Sequence, residues 1–188
     1  VDVPLVSVVE AGAVGRVRVR DADDLVINAF EAHREEIFTF LARSTRDDAE
    51  AEDLVQETFL RLAREVRAGR TPDQVRAWLY RVAGNLAASR FRHRAVARRW
   101  LERVASLGGE REAVESPEAG LLGHERFAEM ERALREVSEE ARVALLLAAQ
   151  GFSGREIARS LGKSEVATRA LMMRARLRIR SQLAGREP

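Results

Sequence analysis

Five arginines stand close together near the end of the chain. Arg169, Arg174, Arg176, Arg178 and Arg180 occur with no acidic residue among them. Guanidinium groups bind phosphate oxygens through paired N–H donors, so this pattern indicates contact with a nucleic-acid backbone. A solvated helix of an ordinary bundle can carry the same residues, and that alternative stays open at this point.

A helix-turn-helix pattern places these arginines on its second helix. Ser153 and Glu156 have the S-x-x-E spacing of a capping box, Gly162 tolerates a turn with positive φ, and Ser164 can cap the next helix. A cationic helix held across another by a tight turn fits the DNA major groove. The buried stripe of this helix has two alternatives: Thr168, Met172, Ala175 and Ile179, or Val166, Ala170, Met173 and Leu177.

A second possible chemistry belongs to Asp53 and Glu57, which lie at i and i+4 and could form a carboxylate pair or a metal site. The chain has only three histidines, none at ligand spacing to that pair, and no cysteine. The sequence therefore predicts no catalytic residue, no metal and no cofactor. The histidines are His33, His93 and His124.

Charge is segregated along the chain although the net charge is only +2. Residues 21–57 hold twelve acids and three arginines, whereas residues 76–103 hold eight arginines and one acid. Residues 110–142 are acidic again, and residues 154–186 are basic again. Two basic segments indicate two nucleic-acid contacts, and the acidic surfaces indicate a protein partner.

The apolar periodicity predicts an all-α fold of two small helical domains. Helices are expected near 22–44 and 49–68, with a third starting at Thr71-Pro72. We expect a first domain over residues 21–99, a flexible linker over 100–123, and a four-helix domain over 124–186 that begins with a helix through Phe127, Met130, Leu134 and Val137. Residues 1–20 form an extension of unknown role.

Two aromatic residues of the third helix have different expected places. Trp78 shares the stripe of Val75 and Val82, so we expect it to pack in the core. Tyr80 lies off that stripe and is expected to be exposed. No apolar run approaches the ~20 residues that span a bilayer, and with the missing cysteines this predicts a cytoplasmic protein.

The sequence resembles the sigma-70 family of transcription initiation factors, and most closely its short extracytoplasmic-function members. The resemblance lies in DDAEAEDLVQETFLRLAREV at 47–66, VRAWLYRVAGNLAASRFRHR at 75–94 and the helix-turn-helix. It implies a protein that binds core RNA polymerase, contacting the clamp helices of the largest subunit and the flap of the second largest. It also implies recognition of promoter DNA at the minus-ten and minus-thirty-five elements, and an anti-sigma partner.

The resemblance also assigns residues to each surface. Leu54 and Phe59 or Leu60 are expected as apolar anchors on the polymerase-binding helix, and Asn85 is expected to bond a base of the melted minus-ten element. The polymerase-binding residues are Asp48, Glu52, Asp53, Leu54, Gln56, Glu57 and Leu60. The minus-ten residues are Arg67, Arg70, Arg76, Tyr80, Arg81, Asn85, Arg90, Arg92 and Arg94. The minus-thirty-five residues are Ser164, Glu165, Arg169, Arg174, Arg176, Arg178 and Arg180.

Other functions compete with this interpretation. A stand-alone helix-turn-helix regulator would share the second domain, but it would not need the acidic and then basic first domain. A helical scaffold would show no salt-dependent affinity for DNA. An enzyme built on Asp53 and Glu57 is the least favoured alternative.

Overall fold

The computed structural model describes residues 19–105 and 132–184. Six α-helices lie wholly within these ranges and no strand does, which confirms the all-α prediction. The predicted extension before residue 19 and the linker residues from 106 on lie outside the described residues, as does the fourth predicted helix up to 131; residues 132–135 are helical. The helices are α1 Val19–Thr45, α2 Asp48–Arg67, α3 Val75–Ala105, α4 Glu139–Ala149, α5 Gly154–Leu161 and α6 Glu165–Ala184.

Helices α1 and α2 form a tight hairpin. Arg46 adopts a left-handed φ of 64° directly after α1, and the Asp47 side chain accepts a hydrogen bond from the Glu50 backbone N–H at 2.9 Å. This N-cap satisfies one of the free donors at the start of α2. Arg67 at the end of α2 pairs with Asp23 near the start of α1, and Arg34, farther along α1, pairs with Glu52 near the start of α2. The two helices therefore run antiparallel.

Helix α3 begins three residues later than the sequence indicated. Its first helical hydrogen bond runs from the Trp78 N–H to the Gln74 carbonyl at 3.0 Å, so Thr71 and Pro72 lie in the preceding loop. Trp78 is half-buried and packs against the core, as expected from its stripe.

The caps of the helix-turn-helix form as predicted. Both hydrogen bonds of the capping box between Ser153 and Glu156 are present, and Gly162 ends α5 with a left-handed φ of 63°. The Ser164 hydroxyl accepts a hydrogen bond from the Ala167 N–H at 3.2 Å and caps α6. Local sequence thus determines where α5 ends and α6 begins.

The buried core is continuous between the two predicted domains. Val143, Leu147, Ile157 and Leu161 of α4 and α5 belong to the same buried cluster as the interior residues of α1, α2 and α3. This continuity arises because α4 and α5 cover a second side of α3. A smaller cluster, built around Val137, Ala141 and Ala175, lies between α4 and α6.

Candidate protein and nucleic-acid interfaces

The buried stripe of α6 is the first of the two alternatives. Thr168 is 1% exposed, Met172 and Ala175 are also buried, and Ile179 is half-buried. Val166, by contrast, is 75% exposed. The seven residues assigned to the minus-thirty-five element therefore all lie on the exposed side of α6 or at its cap: Ser164, Glu165, Arg169, Arg174, Arg176, Arg178 and Arg180.

The arginines of α6 differ in how they are engaged. Arg178 contacts Glu136 at 3.4 Å, and Arg174 donates to the Ala170 carbonyl at 3.3 Å. Arg169, Arg176 and Arg180 have no ion pair to any other described residue. Exposed ion pairs are worth little, so even Arg178 can exchange its carboxylate for a phosphate.

Helix α2 presents an acidic face. Asp48, Asp53 and Gln56 are exposed, and Glu52 and Glu57 are half-buried. Glu57 accepts a hydrogen bond from Arg61 at 2.8 Å, and this bond lowers the pKa of the Glu57 carboxyl. The Glu57 carboxyl group therefore stays ionised at neutral pH and contributes negative charge to this face.

One predicted anchor on α2 is wrong. Leu54 is 3% exposed and Phe59 is 5% exposed, because both lie on the stripe of α2 that faces the core. Leu60 is 52% exposed, so it is the residue of the three that can contact a partner.

Sequence reasoning missed two apolar residues on α1 beside this face. Ile27 is 54% exposed and Phe30 is 40% exposed, although Phe30 lies on the same helical stripe of α1 as the buried Ile37 and Leu41. The Phe30 ring meets the Phe59 ring edge-on at a centroid distance of 5.0 Å, which links α1 to α2 at this point. The signal available in the sequence was the apolar Ile27, which falls outside the stripe of α1.

The arginines assigned to the minus-ten element are mostly paired. Arg67 bonds Asp23 and Arg70 bonds Glu65, at 2.8 Å and 2.7 Å. Along α3, Arg76 contacts Glu36 at 2.9 Å, Arg94 contacts Glu50, and Arg90 lies 3.9 Å from the same Glu50. Arg81 and Arg92 are exposed, and Asn85 is half-buried. Much of the charge of α3 is thus neutralised within the chain.

The expectation that Tyr80 is exposed is wrong. Its side chain is 2% exposed and packs against Phe40 of α1 and Phe152, which precedes α5. Its hydroxyl donates to Glu36 at 3.2 Å, and burial together with the Glu36 charge raises the pKa of Tyr80 to about 12. The side of α3 that carries Tyr80 is therefore covered by Phe40 of α1 and by Phe152 of the loop between α4 and α5.

Glu36 is the centre of this polar cluster. Its carboxylate accepts hydrogen bonds from Arg76, from His33 at 2.7 Å and from Tyr80. Burial acts to raise the pKa of Glu36, but the hydrogen bonds from Arg76 and His33 and the charge of Arg76 outweigh it, so the pKa lies below its usual value. The cluster lines a cavity of about 770 Å³ between α1, α3 and the end of α4.

Among the described residues, no group of three or more histidines and carboxylates could hold a metal ion. No helix in the described ranges is both long and apolar enough to cross a bilayer.

Comparison with known families accounts for most of the chain. Residues 29–105 match the family described as sigma-70 region 2, and residues 127–179 match sigma-70 region 4. The first match covers all of α2 and α3 and residues 29–45 of α1, and the second covers α4, α5 and most of α6. The matched segments therefore contain both the acidic face of α2 and the arginine face of α6.

Individual proteins agree with these matches. The ECF RNA polymerase sigma factor EcfG of Rhodopseudomonas palustris is 31% identical over 134 residues, which are 71% of each chain. The ECF RNA polymerase sigma factor SigJ of Mycobacterium tuberculosis is 34% identical over 171 residues, 84% of this chain and 51% of that protein. The chain thus spans only about half the length of several curated relatives that it matches.

A solved structure shares the fold. The sigma factor RpoE of Bartonella quintana, crystallised in complex with the anti-sigma factor NepR, aligns with a TM-score of 0.55 at 24% identity. The alignment covers 89% of this chain and 99% of that one.

Proposed function

This chain belongs to the extracytoplasmic-function group of the sigma-70 family, and from that membership we propose that it binds core RNA polymerase and directs it to specific promoters. The family consists of initiation factors without enzymatic activity. The observation that carries the proposal is the pairing, on one chain, of an exposed acidic face on α2 with an exposed arginine face on α6. One face suits a protein partner and the other suits DNA.

The face of α2 docks on the clamp helices of the largest polymerase subunit. Leu60 of α2 and the exposed Ile27 and Phe30 of α1 supply apolar contacts, and the acidic side chains of α2 supply polar ones. Protein interfaces usually combine apolar and polar contacts of this kind. The polar contributors are Asp48, Glu52, Asp53, Gln56 and Glu57.

The exposed face of α6 reads the minus-thirty-five element. Ser164, Glu165, Arg169 and Arg176 approach base edges, because they lie on the outward side at and after the N-terminus of the helix. Arg174, Arg178 and Arg180 hold phosphates, which position the helix without specifying sequence.

Helix α3 and the loop before it contact the minus-ten element. Asn85 offers an amide to an unstacked base, and the arginines neutralise the strands around it. Those arginines are Arg67, Arg70, Arg76, Arg81, Arg90, Arg92 and Arg94.

The remaining partners follow from the same role. Region 4 also contacts the flap of the second largest polymerase subunit, and an anti-sigma factor controls the protein by covering its binding faces. The protein acts in the cytoplasm, where the polymerase and the promoter DNA are.

Run-off transcription with purified core polymerase on a library of genomic promoters tests the proposal. We expect the chain to produce transcripts with defined start sites that core polymerase alone does not make. A stand-alone regulator would instead bind duplex DNA without changing the start sites of core polymerase, and that outcome would contradict the proposal. A helical scaffold that does not bind DNA would show no salt-dependent affinity for it, whereas a sigma factor with Z phosphate contacts should lose affinity with salt at a logarithmic slope of magnitude ~0.9Z.

A further inference from the structure

Region 4 contains a cavity that contact with DNA and polymerase does not account for. It has a volume of about 560 Å³ and lies between α6, the start of α5 and the loop that joins α4 to α5. The residues that line it all belong to region 4, so the cavity is a feature of that region alone. Sites for small organic molecules usually enclose roughly 300–1,000 Å³, and this cavity falls within that range.

The buried part of the lining is apolar. Phe152 is half-buried, Ile157 is 1% exposed and Met172 is 8% exposed. Met173 adds a second thioether that is 62% exposed. Methionine side chains are unbranched and polarisable, so they adapt to the shape of a bound molecule. This part of the cavity therefore suits an apolar molecular body, which gains free energy when it leaves water.

The exposed part of the lining is cationic. Arg169 and Arg176 are seven residues apart, about 10 Å along the axis of α6, and therefore lie two turns apart on one face. Neither forms an ion pair with another residue in the described ranges. The lining also includes Glu165, but its carboxylate is bonded to Arg155 at 3.1 Å. The cavity thus offers two unpaired guanidinium groups to an anion.

A buried hydroxyl group of the lining lacks a partner. Thr168 is 1% exposed, and its Oγ1 atom forms no hydrogen bond within the described part of the chain. Buried polar groups nearly always have a partner, so an unsatisfied one calls for an explanation. Ser160 carries the other such hydroxyl in the described ranges, and it is not among the residues that line the cavity. An oxygen atom of a bound molecule would supply the partner that Thr168 lacks.

We propose that this cavity binds a small organic acid with an apolar body and one anionic group. The apolar body packs on Phe152, Ile157 and Met172. The oxygen atoms of the anionic group accept hydrogen bonds from the Thr168 hydroxyl and from the arginines. Promoter DNA could satisfy the arginines, but its phosphates bring no apolar group to the buried part of the lining.

Occupancy of the cavity competes with the upstream promoter element. Arg169 and Arg176 are the two arginines proposed to approach base edges, and an anion bound to them neutralises the charge that attracts DNA. Because coupling between two ligands is reciprocal, promoter DNA weakens binding of the acid by the same factor. This half of the inference rests on the proposed function, since it takes α6 as the minus-thirty-five reader.

Fluorescence titration tests the site with two probes that share one aromatic skeleton. Anilinonaphthalene sulfonate is the anionic probe, and phenylnaphthylamine, which lacks the sulfonate, is the neutral one. The parent chain should bind the anionic probe saturably at one site. Thr168→Val and Arg176→Ala should each weaken this binding by about threefold or more, because each removes a hydrogen bond to the sulfonate. Both variants should bind the neutral probe as the parent does.

Two variants in α5 are matched controls. Ser160→Ala also removes an unpartnered buried hydroxyl, and Arg159→Ala also removes an exposed arginine, but neither residue lines the cavity. Both should bind the anionic probe with the affinity of the parent. Equal losses in the cavity variants and the controls would place the anion elsewhere and overturn the site. Parallel losses of both probes would indicate binding to partly unfolded chains and would overturn it as well.

Run-off transcription tests the competition. The anionic probe at saturation should inhibit the parent by about tenfold, and the neutral probe should not. Thr168→Val should need about threefold or more of the anion for the same inhibition, each chain being compared with its own rate without a probe. Inhibition that is absent, or that Thr168→Val does not shift, would overturn the competition. If the parent gives no run-off product without a probe, the proposed function and the competition both fail, and only the binding site measured by titration stands.

Discussion

The buried hydroxyl of Thr168 should destabilise the protein. Thr168 is 1% exposed at the interface of α6 with the core, and its Oγ1 has no hydrogen-bond partner among the described residues. Thr168→Val replaces this hydroxyl by a methyl group of nearly the same size and keeps the β-branch, so helix propensity hardly changes. The substitution therefore isolates the cost of one unsatisfied polar group.

The size of the effect follows from that cost. An unsatisfied buried donor or acceptor costs about 1–3 kcal/mol, so Thr168→Val should raise the free energy of unfolding by about 1 kcal/mol or more. With an m-value of about 2 kcal/mol/M, the urea midpoint should rise by about 0.5 M. The exposed face of α6 is unchanged, so affinity for upstream promoter DNA should stay the same.

A matched substitution elsewhere provides the control. Thr58 is fully buried as well, but its hydroxyl donates to the Leu54 carbonyl at 2.7 Å. Thr58→Val removes a satisfied bond and should lower stability by about 0.5–1.5 kcal/mol. Urea unfolding followed by circular dichroism compares the two variants with the parent. Equal losses in both variants would show that the Thr168 hydroxyl is satisfied and would refute the reasoning.

Four further predictions concern the two surfaces and the cluster around Glu36. Asp53→Lys should weaken polymerase binding by about tenfold or more, or about 1.4 kcal/mol, whereas Asp24→Lys, on α1, should not; equal affinities in a binding titration would remove the docking assignment. Arg169→Ala should relax the preference at one upstream base by about 1–3 kcal/mol, and a selection that returns the parent consensus would contradict this. Tyr80 is the only tyrosine, so ultraviolet titration of the tyrosinate should give a pKa of about 12 in the folded chain, and a value near ~10 there, as in urea, would contradict its burial. Because the pKa of Glu36 is lowered on folding, its contribution to stability is present above about pH 4.5 and is lost as the pH falls through the folded value; the pH dependence of the urea midpoint should flatten in Glu36→Gln, and an unchanged dependence would exclude this group.

The sequence predicted the features that depend on neighbouring residues. The capping box of Ser153 and Glu156 and the left-handed Gly162 could be read directly, because each is satisfied within a few residues. The number and order of helices followed from apolar periodicity in the same way. The family resemblance then added the identity of the two regions, which no local rule supplies.

Features that depend on distant contacts were beyond the sequence. The α6 helix carries two apolar stripes, and the contacts of Ala175 with the cluster around Val137 and Ala141 decide which one is buried. Tyr80 is buried because Phe152, far along the chain, covers it. Leu54 was predicted to contact a partner because it lies among the acidic residues of α2. The buried stripe of α2 is wide enough to include it.

The connection between α1 and α2 is short, and the buried Arg142 of α4 donates a hydrogen bond to the Ser44 carbonyl directly before it. Only Arg46 and Asp47 separate the two helices, and Arg46 adopts a left-handed backbone conformation. The carbonyl that Arg142 holds therefore lies within one helical turn of the first acidic residues of α2. The hydrogen bond from Arg142 to the Ser44 carbonyl therefore fixes the end of α1 three residues before the N-cap of the helix that carries the acidic face.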